Sequence, residues 1–345
     1  MDNQFSVIGA GGWGTTLALV MARKGYRVKL WSRTEGQCRQ MKETGMNEKY
    51  LPGVFIPPEL KVTNDLQEAV EGSSLVVMAV PSHAFRTVLS EAKRYISKES
   101  IMVSAVKGIE TDTLSRMSDV LKEELGPEHV SKIAVISGPN HAEEISREIP
   151  SATVVASPKR TIAEFIQEVF MCPYFRVYTN PDMVGVELGG ALKNIIALAA
   201  GVSDGLGFGD NTKAALMTRG LTEISRLGIE LGAAPLTFAG LAGVGDLIVT
   251  CTSRHSRNRR AGMLLGEGNS LEQVMDQMQM AVEGVKTTRA ACSLAEKQGI
   301  EMPITKQVFE VLFQGKSPHQ GVSELMLRGK KHEMEEIADH MVADW

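Results

Sequence analysis

The sequence predicts a doubly wound, mostly parallel α/β sheet followed by an all-α C-terminal domain, and three observations carry that prediction. Short apolar and β-branched runs alternate with helical patterns up to about residue 180. A glycine-rich turn, Gly9-Ala10-Gly11-Gly12-Trp13-Gly14, joins the first run to the first helical pattern. Beyond residue 180 the strand signal stops and only helical periodicity remains. At 345 residues the chain is long enough for two domains with a core each, expected at 1–180 and 181–345.

The expected strands are residues 5–8, 27–31, 75–80, 101–106, 133–136, 152–156 and 175–178. Several are near-continuous Val/Ile/Leu runs, as strands covered on both faces of a parallel sheet require. Helical patterns intervene at 13–23, 82–92 and 113–125. The second half reads as helices at 181–202, 213–231, 270–279, 286–298 and 305–313. Polar and flexible residues collect just after strand ends: 9–14, Ser32-Arg33, Pro81-Ser82, Lys107-Gly108 and Gly138-Pro139-Asn140. Ligands bind outside the carboxyl ends of strands in such sheets, so these five clusters should border one crevice.

Bulk properties exclude several classes. The chain is 43% hydrophobic and 23% charged with a formal net charge of −4, which offers no global attraction to nucleic acid or an anionic membrane. Cys38, Cys172, Cys251 and Cys292 form no CxxC pair and read as reduced thiols of a cytoplasmic protein. The seven histidines show no HxxxH or HxH spacing, so no metal site is expected, and no G-x-S-x-G elbow occurs. The first strand begins too early to leave room for a signal peptide. Apolar runs such as 195–202 are too short to span a bilayer.

The strand-turn-helix context makes the glycine turn a dinucleotide site. Gly9 allows the tight turn, Gly11 lets backbone approach a pyrophosphate, and Gly14 lets the helix pack closely on the strand. The second strand ends at Ser32-Arg33, where an NAD site usually carries a carboxylate for the ribose 2′-hydroxyl. Arg33 favours the 2′-phosphate of NADP and leaves NAD open; the alternative is a solvated surface arginine.

Lys193 stands inside a strongly apolar helical run and shares its face with Val186, Gly189, Gly190, Ala197 and Ala200. No carboxylate lies three or four residues away to pair with it. Such an ammonium should have a lowered pKa and act as a general base near neutral pH, unless its head reaches water. Lys107 could place a second cation over the crevice or be a loop lysine. The stretch 243–260 holds Asp246 and then Arg254, Arg257, Arg259 and Arg260 among hydroxyls and Asn258. It could grip a phosphate bidentately or be a solvated basic loop. Asp246 would be an ion-pair partner or a ligand of a substrate hydroxyl.

These motifs resemble the NAD(P)-dependent glycerol-3-phosphate dehydrogenases of bacterial type. The resemblance rests on Gly9-Ala10-Gly11-Gly12-Trp13-Gly14-Thr15, Asn47-Glu48-Lys49-Tyr50-Leu51-Pro52-Gly53, Ala105-Val106-Lys107-Gly108-Ile109-Glu110 and Ser137-Gly138-Pro139-Asn140-His141-Ala142. It continues through Glu187-Leu188-Gly189-Gly190-Ala191-Leu192-Lys193-Asn194, Gly243-Val244-Gly245-Asp246-Leu247, Ser256-Arg257-Asn258 and Val282-Glu283-Gly284. It implies a Rossmann-type first domain and reversible reduction of dihydroxyacetone phosphate to sn-glycerol 3-phosphate, feeding glycerophospholipid synthesis in a homodimer. It implies Lys193 as proton acceptor, with Lys107, Asn194, Asp246 and Thr250 completing the polar site. Ser256, Arg257 and Asn258 would hold the substrate phosphate, with Gly138, Asn140 and Ala142 lining the pocket. Cofactor contacts would be Gly9, Gly11, Gly12, Trp13, Gly14, Arg33, Tyr50, Lys107, Ala142, Arg257 and Glu283. Two positions depart from the commonest pattern. Gly12 stands where serine is frequent, and Asn140 where serine or threonine is frequent. Two rival readings are a dehydrogenase of a 3-hydroxy acid or sugar acid, and a dinucleotide sensor without turnover.

Overall fold

The computed structural model describes residues 4–278, 281–330 and 333. The strands are β1 (Gln4–Ile8), β2 (Arg27–Trp31), β3 (Met46–Asn47), β4 (Leu51–Phe55), β5 (Leu60–Thr63), β6 (Leu75–Met78), β7 (Ile101–Ser104), β8 (Ile133–Ser137), β9 (Ser151–Ala156) and β10 (Phe175–Asn180). Eight of them form one sheet in the order β10-β9-β8-β7-β6-β1-β2-β5, and β3 pairs with β4 in a separate antiparallel ribbon. From β5 to β8 every neighbouring pair is parallel, whereas β8 and β9 are antiparallel. The order reverses at the centre: chain leaving β1 goes one way to β2 and β5, and chain from β6 goes the other way. That reversal opens a crevice at the carboxyl ends of β1 and β6.

Burial explains why these residues make strands. All four side chains of β6 are fully buried, and in register Phe5 lies beside Leu75 and Val7 beside Val77. Alternate residues feed two cores, one on each face of the sheet: Val7, Leu75 and Val77 on one face, Ile8, Val76 and Met78 on the other. Each such side chain contributes roughly 1.5–3 kcal/mol relative to exposure.

The sequence reading missed β5 and the β3–β4 ribbon, which are short and peripheral, and β4 carries Pro52-Gly53. The helix expected at 113–125 begins only at Met117. Thr113 and Ser115 instead bind locally, with the Ser115 N–H donating to Thr113 Oγ1 at 3.2 Å and the Thr113 hydroxyl to Glu110 at 2.5 Å. Local side-chain bonds of this kind compete with a helix start.

The helical half begins at Met183. Its first helix, Met183–Gly205, is capped by Asp182, which accepts from the Gly185 N–H at 2.8 Å. This helix crosses Arg257–Gly266 at backbone contact. A Cβ on Gly201 would lie 2.0 Å from the Arg259 carbonyl oxygen, and one on Gly262 would lie 2.1 Å from that of Leu198. One turn further along each helix, a Cβ on Gly205 would lie 2.2 Å from the Met263 carbonyl oxygen and one on Gly266 2.5 Å from that of Val202. The reading that no apolar run could span a bilayer is also corrected. Met183–Gly205 passes by length and apolarity, because glycine, alanine and serine extend the run on either side of 195–202, as does the segment Pro235–Thr252. The Met183–Gly205 window is almost wholly buried in the fold, so it is the core helix of the second half.

Candidate active site

At the glycine turn, Gly9 has a φ of +121°, and a Cβ there would lie 2.7 Å from the Ala79 carbonyl oxygen. A Cβ on Gly14 would fall within 1.9 Å of the Gly9 oxygen, so the helix Gly12–Arg23 can leave the strand only at glycine. Above Gly11 nothing lies within 4 Å, and as N-cap it uses no side-chain bond. The first N–H groups of a helix have no partner within it, and the open space at Gly11 leaves room beside them for a pyrophosphate. Gln37 and Asn47 hold the turn by donating to the Ala10 carbonyl at 2.7 and 3.0 Å. At Gly12 the Tyr50 carbonyl oxygen lies 3.0 Å from where a Cβ would sit, so a side chain there would fit tightly. Trp13 is half-buried with its indole nitrogen unpartnered, and Ala142 reaches the same turn by accepting from Thr16 Oγ1 at 3.2 Å. Arg33 is exposed just beyond β2.

Across the crevice two lysines share one carboxylate. Lys107 donates to Asp246 Oδ2 at 2.8 Å and to the Gly138 carbonyl at 2.7 Å. Lys193 donates to Asp246 Oδ1 and to Thr250 Oγ1, the latter at 2.5 Å. Asp246 is 1% exposed and Lys193 5%. The expectation of an unpaired Lys193 is corrected: its partner comes from the helix Asp246–Thr252, far away in sequence. The cluster still carries one uncompensated positive charge. Burial, reinforced by the Lys107 charge and opposed by Asp246, pushes the Lys193 amine down to about 7. Burial also pushes the neighbouring Cys251 thiol up to about 12, which leaves it protonated and inert.

A chain of amides orders the floor. Asn194 donates to the Lys107 carbonyl at 3.1 Å, and Asn258 donates to Asn194 Oδ1 at 2.8 Å. The Gly284 N–H donates to Asn258 Oδ1 at 2.9 Å, which fixes the orientation of both amides. Next to Gly284, Glu283 accepts from the Ser82 N–H at 3.1 Å and the Ser82 hydroxyl at 2.6 Å. These bonds tie the helical half to the loops after β6 and β7.

The arginine-rich stretch is split by the helix Arg257–Gly266. Ser256 caps it by accepting from the Arg259 N–H at 3.2 Å, and Arg257 donates to the Ala281 carbonyl at 3.1 Å. Arg259 turns away to Asp204 at 2.6 Å, and Arg254 and Arg260 are exposed. Asn140 is anchored to the neighbouring strand: it donates to the Ala152 carbonyl and accepts from Thr153, both at 2.8 Å. Gly138, with a φ of +150°, lies against Thr153 and offers its carbonyl to Lys107. Sequence reasoning missed buried Asn47 and half-buried Gln37 as anchors of the turn; single polar residues in a polar segment leave no periodic signal.

Residues 4–163 match the NAD-dependent glycerol-3-phosphate dehydrogenase N-terminus and residues 182–323 its C-terminus. The chain belongs to the glycerol-3-phosphate dehydrogenase family. A relative from Pelotomaculum thermopropionicum, named glycerol-3-phosphate dehydrogenase [NAD(P)+], is 57% identical over 98% of this chain and 97% of its own. A crystal structure of glycerol-3-phosphate dehydrogenase from Coxiella burnetii superposes with a TM-score of 0.91 at 41% identity, covering 95% of this chain and 99% of that one. A ketopantoate reductase from Ralstonia eutropha JMP134 shares the fold alone, at 15% identity and a TM-score of 0.59 over 92% of this chain and 99% of that one. Family membership makes the chain an NAD(P)-dependent oxidoreductase.

Proposed function

We propose that the crevice carries out the reversible reduction of dihydroxyacetone phosphate to sn-glycerol 3-phosphate, with Lys193 as the acid and base. The observation that carries this reading is the Lys193–Asp246–Lys107 cluster with Thr250, in which Lys193, Asp246 and Thr250 are buried. The nicotinamide, when bound, supplies or accepts the hydride at C2. As ammonium, Lys193 donates its proton to the developing C2 alkoxide; as free amine, it takes the hydroxyl proton in the reverse direction. Asp246 and Thr250 aim the Lys193 nitrogen, and Lys107 adds a preorganised positive charge where the oxygen becomes negative.

The phosphate belongs at the start of the helix Arg257–Gly266, beside Ser256, Arg257 and Asn258, where N–H groups and the helix dipole favour an anion. Binding the phosphate there orients C2 remotely from the chemistry. Gly9, Gly11, Gly12, Trp13, Gly14, Tyr50, Ala142 and Glu283 line the cofactor side, and Arg33 favours NADP over NAD. Asn194 works through its neighbours: it joins Lys107 to Asn258 and keeps both walls in register. The two functional units are 1–180 and 181–345, in a cytoplasmic homodimer. The absence of disulfides among the described residues supports the compartment, and family resemblance supports the dimer.

Steady-state reduction of dihydroxyacetone phosphate with NADPH and NADH in parallel tests this reading. Turnover with the higher kcat/KM for NADPH is expected. Oxidation of neither cofactor would overturn the substrate, and a preference for NADH would overturn the role of Arg33.

A further inference from the structure

We propose that His141 binds substrate, its Nε2–H donating to the substrate phosphate, and that His255 holds its ring in position. This rests on the proposed dihydroxyacetone phosphate site. His141 follows β8 in the same loop as Gly138, whose carbonyl accepts from Lys107 at 2.7 Å. Pro139 of that loop lies 3.8 Å from the Cβ position of Gly245, so the loop rests on the turn that delivers Asp246. The His141 Nε2 atom is buried there without a hydrogen-bond partner. A buried ring nitrogen left unpaired is unfavourable, and a ligand entering the crevice would satisfy it.

The ring of His255 lies 5.7 Å from that of His141, tilted by 54°. His255 immediately precedes Ser256, the cap of the helix Arg257–Gly266, so the contact brings His141 to the anion end of that helix. The charged groups around His141 are Glu143 and Glu144 on its own segment and Lys107 and Lys193 opposite. Burial is the main effect that lowers its pKa, and the two lysines add to it, so the ring is neutral near pH 7. A neutral ring in the Nε2–H tautomer is a donor at that atom, and a phosphate dianion is an acceptor. The cofactor pyrophosphate has the same chemistry but lies toward the glycine turn, whereas the ring leans toward His255.

The test uses His141→Phe and His141→Gln with separate KM values for dihydroxyacetone phosphate and NADPH. The phenylalanine variant should raise KM for dihydroxyacetone phosphate by about ten- to hundredfold, the factor for one hydrogen bond to a charged group. KM for NADPH and kcat should change little, and glutamine, which keeps an N–H donor, should recover part of the loss. An unchanged substrate KM, or a rise confined to NADPH, would overturn the proposal. Should either variant fold poorly, imidazole ¹⁵N spectra of the wild-type protein saturated with cofactor decide the matter. Adding sn-glycerol 3-phosphate must move the His141 Nε2 resonance, and a stationary signal contradicts the proposal. Wild-type protein without any turnover of dihydroxyacetone phosphate would instead remove the substrate reading.

Discussion

The proposed role of Lys193 as a base rests on where it is buried. Its own helix supplies only Val186, Gly189, Gly190, Ala197 and Ala200 along that face, and no charge to offset its ammonium. Asp246 offsets it but is shared with Lys107, so the amine is held down at about 7 rather than restored to the ordinary lysine range. The sign of the pH dependence follows. Oxidation of sn-glycerol 3-phosphate requires the free amine, so its kcat/KM should rise with pH up to about 7 and level off above. Reduction of dihydroxyacetone phosphate requires the ammonium and should fall above the same point. Rate profiles in both directions check this, and two profiles with the same slope would contradict it. Asp246→Asn removes the carboxylate that opposes the lowering and should move both inflections to lower pH.

At the scale of elements, the site depends on how closely two helices pack. Gly201 and Gly205 on one, with Gly262 and Gly266 on the other, let Met183–Gly205 and Arg257–Gly266 meet backbone to backbone. That approach brings the Asn258 amide within 2.8 Å of Asn194 and sets the anion end of one helix beside the lysine of the other. Gly262→Ala would put a methyl 2.1 Å from the Leu198 carbonyl oxygen and force the helices apart. It should destabilise the protein by about 1–3 kcal/mol and lower activity by more than the stability loss explains. Thermal melts and assays well below the melting temperature separate the two effects, and an unchanged melting temperature would refute the packing argument.

In the whole molecule, two halves meet at a crevice and are joined by polar bonds that include Arg116 and Ser118 to Glu187, Lys107 to Asp246 and Asn194 to the Lys107 carbonyl. Glu283 provides one tie, its carboxylate gripping the N–H and hydroxyl of Ser82. Glu283→Ala should weaken NADPH binding by about tenfold, the worth of a charged hydrogen bond, with the sheet and helices intact. Fluorescence titration and circular dichroism measure the two. Much of this plan was legible in the sequence, because buried parallel strands and a glycine turn leave local, periodic signatures. The edge strand β5 and the β3–β4 ribbon were not, since short peripheral strands bury too little to leave a pattern. Lys193 was found as a misfit on an apolar helix, but its pairing with Asp246 was invisible, as was the hold of Thr153 on Asn140. Those bonds join distant segments, and only the fold brings them together. On the proposed mechanism, Lys193 moves the proton and does not hold the cofactor. Comparing Lys193→Met with the wild type for NADPH affinity and for turnover of dihydroxyacetone phosphate tests it most directly. Affinity unchanged within about twofold and kcat lowered by about 10²–10⁴ is the predicted result. Turnover within tenfold of the wild type, with the variant folded and the cofactor bound, would contradict it.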